Sequence, residues 1–186
     1  MRRNVLIGLL FFLLTAPIWA ASAAGAANLA LSVSMNLAGG GPDKFSTDKL
    51  MGVLFGKQKA AELAKLRRQL GSATVSTFFS VSDFAVPDAM SLVQKNNMTL
   101  PDDPVPAPDN TKALTAALYR AGSSGGKFSV DAMLDNMLSQ PVRDQLVADI
   151  DKKFGVHGRA SYYAVLNQLG NDLHSATAGA AQKPRP

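Results

Sequence analysis

Between Asn28 and Leu173 apolar residues return every three or four positions in almost every segment, and Gly or Pro punctuates the runs. That period is the helical one, and a chain patterned this way buries one stripe of each helix against its neighbours. Asn28 to Leu37 carries Leu29, Leu31, Val33 and Leu37 before Gly39-Gly40-Gly41-Pro42 stops the run. Ser46 and Thr47 are suitable N-caps for a helix showing Leu50, Met51, Leu54 and Phe55. Gly56 is placed to bend the chain, Leu63, Leu66 and Leu70 line the next helix, and Gly71 sits where a left-handed C-terminal residue belongs. Ser72 to Val86 reads two ways: Val75, Thr77, Phe79 and Val81 alternate like a strand, while Val75, Phe78, Phe79, Ser82 and Ala85 fit a helical face. No second strand with turn chemistry stands by to pair with it, which favours helix. Pro87 then starts or kinks a helix through Met90 and Val93.

Residues 99–110 read TLPDDPVPAPDN, and four Pro in so short a span remove amide donors and fix φ, favouring an extended surface connector. Beyond it, Asp109 or Asn110 caps a helix through Leu114, Leu118 and Ala121, and Gly122-Ser123-Ser124-Gly125-Gly126 makes a flexible turn. Ser129 caps Val130, Met133, Leu134 and Met137; Pro141 suits the first turn of a helix with Val142, Leu146, Ile150 and Phe154 inward, which Gly155 ends. Arg159 to Leu173 is the last helix, with Tyr162, Tyr163, Leu166 and Leu169 inward. The expected fold is all-α, an irregular bundle of about seven to eight helices joined by the Pro-rich connector. The segments are an N-terminal helical half over 24–98, the connector 99–110, a C-terminal helical half over 111–174 and a disordered tail over 175–186.

Residues 1–23 follow the plan of a secretory signal: Arg2 and Arg3, an apolar run from Val5 to Leu14, then small residues ending Ala21-Ser22-Ala23. Cleavage is expected after Ala23, with Ala20 and Ala26 as other acceptable sites, and the product is expected to be periplasmic or secreted. The apolar run falls short of the ~20 residues of a membrane span, so membrane contact is expected only through this segment if it stays uncleaved. The Arg pair also has the beginning of a twin-arginine signal. Arg2 and Arg3 are two of 19 basic residues set against 14 acidic ones, so their removal lowers the net charge from +5 to +3. Such a surplus is no nucleic-acid footprint, and the basic run Lys57, Lys59, Lys65, Arg67 and Arg68 has no interleaved aromatics. It reads as a solvated helix face.

Chemistry is sparse. With no Cys, the chain has no disulfide, thiolate metal site or cysteine nucleophile. Gly52 to Gly56-Lys57 and Gly122 to Gly126-Lys127 miss the phosphate-loop spacing by one residue. Asp149 and Asp151 flank Ile150 and project to different sides of a helix, Asp102-Asp103 fall in the connector, and Ser72, Ser76 and Ser80 have no base at local spacing. His157 and His174 are too far apart for a metal pair on one helix. Either alone would suffice as an axial haem ligand, with Met98, Met133 and Met137 at hand, so a globin-like haem- or small-ligand-binding protein stands as the alternative reading. No metal and no cofactor are expected on the main one.

Val33-Ser34-Met35-Asn36-Leu37-Ala38-Gly39, just after the export segment, resembles the Leu-Ser-x-x-Leu-Thr-Gly start of the small subunits of membrane-bound flavin-dependent sugar and alcohol dehydrogenases. Pro141-Val142-Arg143 through Phe154-Gly155-Val156, then Tyr162-Tyr163-Ala164-Val165-Leu166, resembles their later helices. Ala38 stands where that family has Thr, and Lys153-Phe154 where it has Trp-Tyr. The resemblance implies a small, exported, helical and non-catalytic subunit that assists the maturation and export of a flavoprotein. The expectation is an accessory protein that acts by contact with a larger exported partner. Leu37, Gly39, Phe78, Phe79, Tyr162 and Tyr163 are its candidate contact residues, and no catalytic residue is assigned.

Overall fold

The computed structural model describes residues 31–41, 43–96, 111–124 and 127–181. The export segment 1–23, the Pro-rich connector 99–110, Met98 and the side chain of His174 lie outside the described residues. Helix α1 covers 31–38, followed by α2 (Thr47–Phe55), a 3-10 turn (Gly56–Gln58), α3 (Lys59–Leu70) and α4 (Ser72–Lys95). After the connector come α5 (Thr111–Gly122), the two-residue strands β1 (Ser123–Ser124) and β2 (Lys127–Phe128), α6 (Val130–Met137) and α7 (Gln140–Ala181). The protein is all-α apart from that antiparallel hairpin.

Apart from the short α1, whose start adjoins residues outside the described set, the described residues hold six helices, α2 to α7, fewer than the seven to eight expected. The difference lies at Pro87 and Gly155. Pro87 is a candidate boundary by sequence, yet α4 runs through it as one helix of 24 residues, so Ser72 to Val86 is helical. Pro87 has no amide to offer the Asp83 carbonyl, and the loss of one such bond is tolerated in a helix whose buried face includes Val75, Phe78, Val81 and Val93. Gly155 does break the helical path (φ 72, ψ 171), but the chain resumes helix at once, so α7 is one run with two arms. The second arm continues to Ala181, past the Leu173 at which the sequence reading ends its last helix.

Glycine closes α1 as expected. Gly40 adopts φ 112, its amide donates to the Leu37 carbonyl (2.9 Å) and the Gly41 amide reaches back to the Asn36 carbonyl (2.9 Å). This paired arrangement satisfies the last carbonyls of the helix. At the start of α2, Ser46 occupies the N-cap position but its side chain makes no capping bond. Asp83 of α4 takes that role: its Oδ1 accepts from the Thr47 amide and the Thr47 hydroxyl, both at 2.6 Å. A cap supplied from 36 residues away ties α2 to α4 and is not visible in local sequence.

One core is shared by the helices on both sides of the connector, with Leu66, Val75, Val93, Leu114, Ile150 and Val165 all fully enclosed. Burying each such aliphatic side chain contributes about 1.5–3 kcal/mol. The most extensive packing is that of α4 on α7. At Gly158 this approach is close: an added Cβ there would press on the Phe154 Cβ and meet Val81 of α4. The α5–α6 joint is pinned in a different way. Phe128 of β2 inserts its ring between Gly122 and Gly170, and a Cβ at either glycine would overlap the ring. Asn171 and Asn167 of α7, one turn apart, accept from the Phe128 amide (3.2 Å) and the Val130 amide (2.9 Å). Amides at the start of α6 thus find partners in α7, and Ser129 Oγ accepts from the Ala132 amide as the predicted cap.

Candidate functional site

The four expected aromatic contact residues come together where α4 meets the second arm of α7. Phe78 stacks on Tyr162 (centroids 5.9 Å apart), Phe79 meets Phe78 edge-on at 5.6 Å, and Tyr163 lies 6.0 Å from Tyr162. Phe78 and Tyr162 are buried in this chain's own core, and Phe79 and Tyr163 pack partly buried against it. Burial pushes the Tyr162 phenol far above its ordinary value, Tyr163 adds to the shift, and a hydrogen bond with Ser82 opposes it. Gly39 is buried with the Phe45 ring against it. Leu37 alone of the six is exposed, at 44%, and Val156 at 62% is the other large apolar side chain exposed among the described residues. His157, next to Val156 after the Gly155 break, is also exposed.

Beside Tyr162 the core is not filled. An outer cavity of about 50 Å³ opens among α1, the C-terminal part of α4, α6 and α7, and an inner, more enclosed one of about 40 Å³ lies against it. Met35, Met133, Val86 and Tyr162 line both, so these four side chains form the wall between them. Met90, Met137, Leu138 and Leu146 complete the outer cavity, and Met51, Leu54, Phe78 and Leu166 face the inner one. Helical spacing explains the clustering: Met133 and Met137 are one turn apart on the buried face of α6, and α6 is held on α7 by the Asn167 contact. Among the described residues neither cavity has a charged side chain in its lining. The Ser32 hydroxyl, on a residue only 7% exposed in the outer wall, has no hydrogen-bond partner among the described residues, nor has the buried Asn36 Oδ1 one turn further along α1.

Titratable groups gather elsewhere. Lys65 of α3 bridges Asp172 of α7 (2.6 Å) and Glu62 (3.8 Å), and Gln168 donates to Asp172 at 3.1 Å. Burial, then the hydrogen bond and negative charge of Asp172, push the Glu62 carboxyl up to about 6 despite Lys65. Burial works to raise Asp172 too, but hydrogen bonds from Lys65, Glu62 and Gln168 outweigh it and hold that carboxyl below its ordinary value. The Lys65 ammonium thus stands between two carboxyls across the α3–α7 joint. A second, shallow cleft places Asp83, Asp88 and Lys153 together, with the Lys153 ammonium 4.1 Å above the Phe84 ring. Burial and the Asp149 charge raise the Asp88 carboxyl. Asp149 and Asp151 diverge as their spacing requires: Asp149 accepts from Gln145 and Asp151 from Arg159.

Sequence reading reaches Met133 and Met137 as helical-face residues and Tyr162 as an inward aromatic, but it does not connect them. It misses Ser32 and gives Met35 and Met90 no part in a site, because only the tertiary packing brings α1 and the end of α4 to α6. The one local hint is the run of small or polar residues Ser32, Ser34 and Asn36 on a helix that turns out to be buried on most sides. Among the described residues no cluster of His, Asp and Glu is arranged to hold a metal, and no helix is long and apolar enough to cross a membrane. No family model, no curated protein sequence and no solved structure matches this chain.

Proposed function

We propose that the protein is an exported, non-catalytic helical accessory protein that binds and supports a larger periplasmic partner, of the kind that a flavin-dependent dehydrogenase has in its small subunit. The observation that supports it most is Leu37. It stands exposed on α1, the helix that carries the resemblance, while Leu31, Met35 and Ala38 of the same helix are buried. With half-buried Val33 one turn earlier, it offers a short apolar strip next to the rigid Gly39-Gly40-Gly41 turn. Phe78 and Tyr162 serve this reading indirectly, by fixing α7 on α4. The protein is then expected to co-purify from the exported fraction in fixed ratio with a larger protein that shows flavin absorbance. Leu37→Asp should abolish that association while leaving the Tm within about 2 °C, since the residue is outside the core. A wild-type protein isolated alone, or an association that Leu37→Asp leaves intact, overturns the reading.

The paired cavities favour a second reading, a small-ligand-binding helical protein. Its haem form gains no support from His157, which lines neither cavity.

A further inference from the structure

From the methionines around the paired cavities we infer that the outer cavity is a site for one soft monovalent cation, Cu(I), held by thioether sulfurs of Met35, Met90, Met133 and Met137 with the Ser32 hydroxyl beside them. The inference deepens the ligand-binding reading and rests on it, independently of the partner reading.

Three observations set the ligand's chemistry. The first is where the sulfur lies. The chain has 7 Met; apart from Met1 and Met98, which lie outside the described residues, all of them line one or both cavities. Met35, Met90, Met133 and Met137 line the outer one and come from three helices, α1, α4 and α6. Met133 and Met137 stand one turn apart on the buried face of α6, the spacing at which two side chains of one helix reach the same point. Such adaptable side chains ordinarily fill irregular gaps in a core, and here four of them surround one that stays open.

The second observation is the size and neutrality of the cavity. Its volume of about 50 Å³ exceeds the ~15 Å³ that one water needs and is far below the roughly 150 Å³ of a cavity that holds benzene. It suits a bare ion. Among the described residues its lining has no carboxylate and no imidazole, so a divalent ion would keep its whole charge in apolar surroundings. Calcium and magnesium need several oxygens, and zinc draws on imidazole, thiolate or carboxylate. Thioethers select Cu(I), and in a chain without Cys they are the soft donors at hand.

The third observation is polar. Ser32 shares one side of α1 with Met35, is more than nine-tenths buried in the outer wall, and has a hydroxyl with no hydrogen-bond partner among the described residues. An unmet buried hydroxyl costs free energy until a bound group relieves it. Its oxygen gives a cation in the outer cavity one more neutral donor, with lone pairs that no other group uses. The inner cavity has no such hydroxyl left unmet in its lining, which places the ion in the outer one.

The test is anaerobic titration of the purified full chain with Cu(I) held by the coloured chelator bicinchoninate, with Zn(II) titrated separately. The expected result is withdrawal of one Cu(I) per chain and a raised Tm, with Zn(II) bound at least tenfold more weakly. Met133→Leu and Met137→Leu nearly keep the side-chain volume and lose the sulfur, so each should fold and weaken Cu(I) by about tenfold or more. Met51→Leu, at a position lining only the inner cavity, should bind as the wild-type chain does. Should the Leu variants not fold, Ag(I), a redox-inert ion of the same softness, decides on the wild-type chain: the Met35, Met133 and Met137 methyl resonances should shift more than that of Met51. No Cu(I) withdrawn, Zn(II) bound as tightly, Ag(I) leaving those methyls unmoved, or Cu(I) binding unchanged in Met133→Leu and Met137→Leu each overturns the inference; the last is what a surface site at exposed His157 would give. Dissolved xenon separates this failure from that of the reading beneath it. Cavity methyls that shift with xenon but not with Ag(I) overturn this inference alone, and methyls that shift with neither overturn the ligand-binding reading as well.

Discussion

Two places in one core are built in opposite ways. Around Phe128 the ring fills the space left by two glycines, and side-chain amides of α7 fix the backbone on either side. Around Met133 the same helices leave two voids divided by flexible side chains, the inner one reaching as far as Phe128 and Gly170, with an unsatisfied hydroxyl in the outer wall. Both places touch α6 or its entry and both touch α7, so the difference is not one of layer or depth. It is one of residue type. Glycine opposite phenylalanine fixes a single arrangement, because any added atom overlaps. Methionine opposite methionine permits several, because each side chain refills space after it is disturbed. The tight place holds the hairpin, α6 and α7 in register, and this lets the loose place be loose without the bundle coming apart.

That contrast can be broken by mutation. The largest effect is expected of Phe128→Ala, which empties the ring site between Gly122 and Gly170; a loss of about 4 kcal/mol in urea unfolding is the expected outcome. Next comes Gly170→Ala, whose Cβ would fall within the Phe128 ring, at a cost of about 2–3 kcal/mol. By contrast Met133→Leu, also a buried change in the same core, is expected to cost less than about 1.5 kcal/mol because the neighbouring voids absorb the misfit. If the Met133 variant proves as costly as the Gly170 one, the two places are equally rigid and the comparison fails.

The smallest expected effect concerns pH. The Glu62 carboxyl is raised from 4.5 to about 6 in the fold, so it favours the folded state fully below pH 4.5 and that contribution is lost as pH rises through 6. Asp172, held below its ordinary 3.8, acts in the opposite sense but only at lower pH, outside that window. With Glu62 and Lys65 partly exposed to solvent, the change between pH 4.5 and 7 should be no more than about 1 kcal/mol. Urea midpoints at the two pH values should differ for the wild-type chain and coincide more closely for Glu62→Gln. A wild-type midpoint that rises from pH 4.5 to 7 in step with the variant's would show that the α3–α7 joint does not hold this proton.

Much of this bundle is legible in the chain, and the reasons differ by element. The helical period, the Gly40 stop of α1, the Ser129 cap of α6 and the break at Gly155 are local chemistry and can be read from a few neighbouring residues. Ser72 to Val86 is ambiguous by sequence because a β-branched and aromatic run suits either period; packing against α7 makes it a helix. Ser46 misleads as a cap since the acceptor comes from Asp83 on another helix. The cavities are illegible for the same reason. A void is what several helices fail to fill together, and Met35, Met90 and Met133 become neighbours only once α1, α4 and α6 are in place.

At the centre of this picture is a core with one yielding wall, made of Met35 and Met133, beside a part that does not yield. NMR relaxation of the isotope-labelled chain, read at the methionine methyls and the Phe128 ring, tests it directly. The Met35 and Met133 methyls should average over several rotamers while the Phe128 ring, held between Gly122 and Gly170, keeps one. Met35 and Met133 methyls as rigid as the Phe128 ring, or a Phe128 ring as mobile as those methyls, would contradict it.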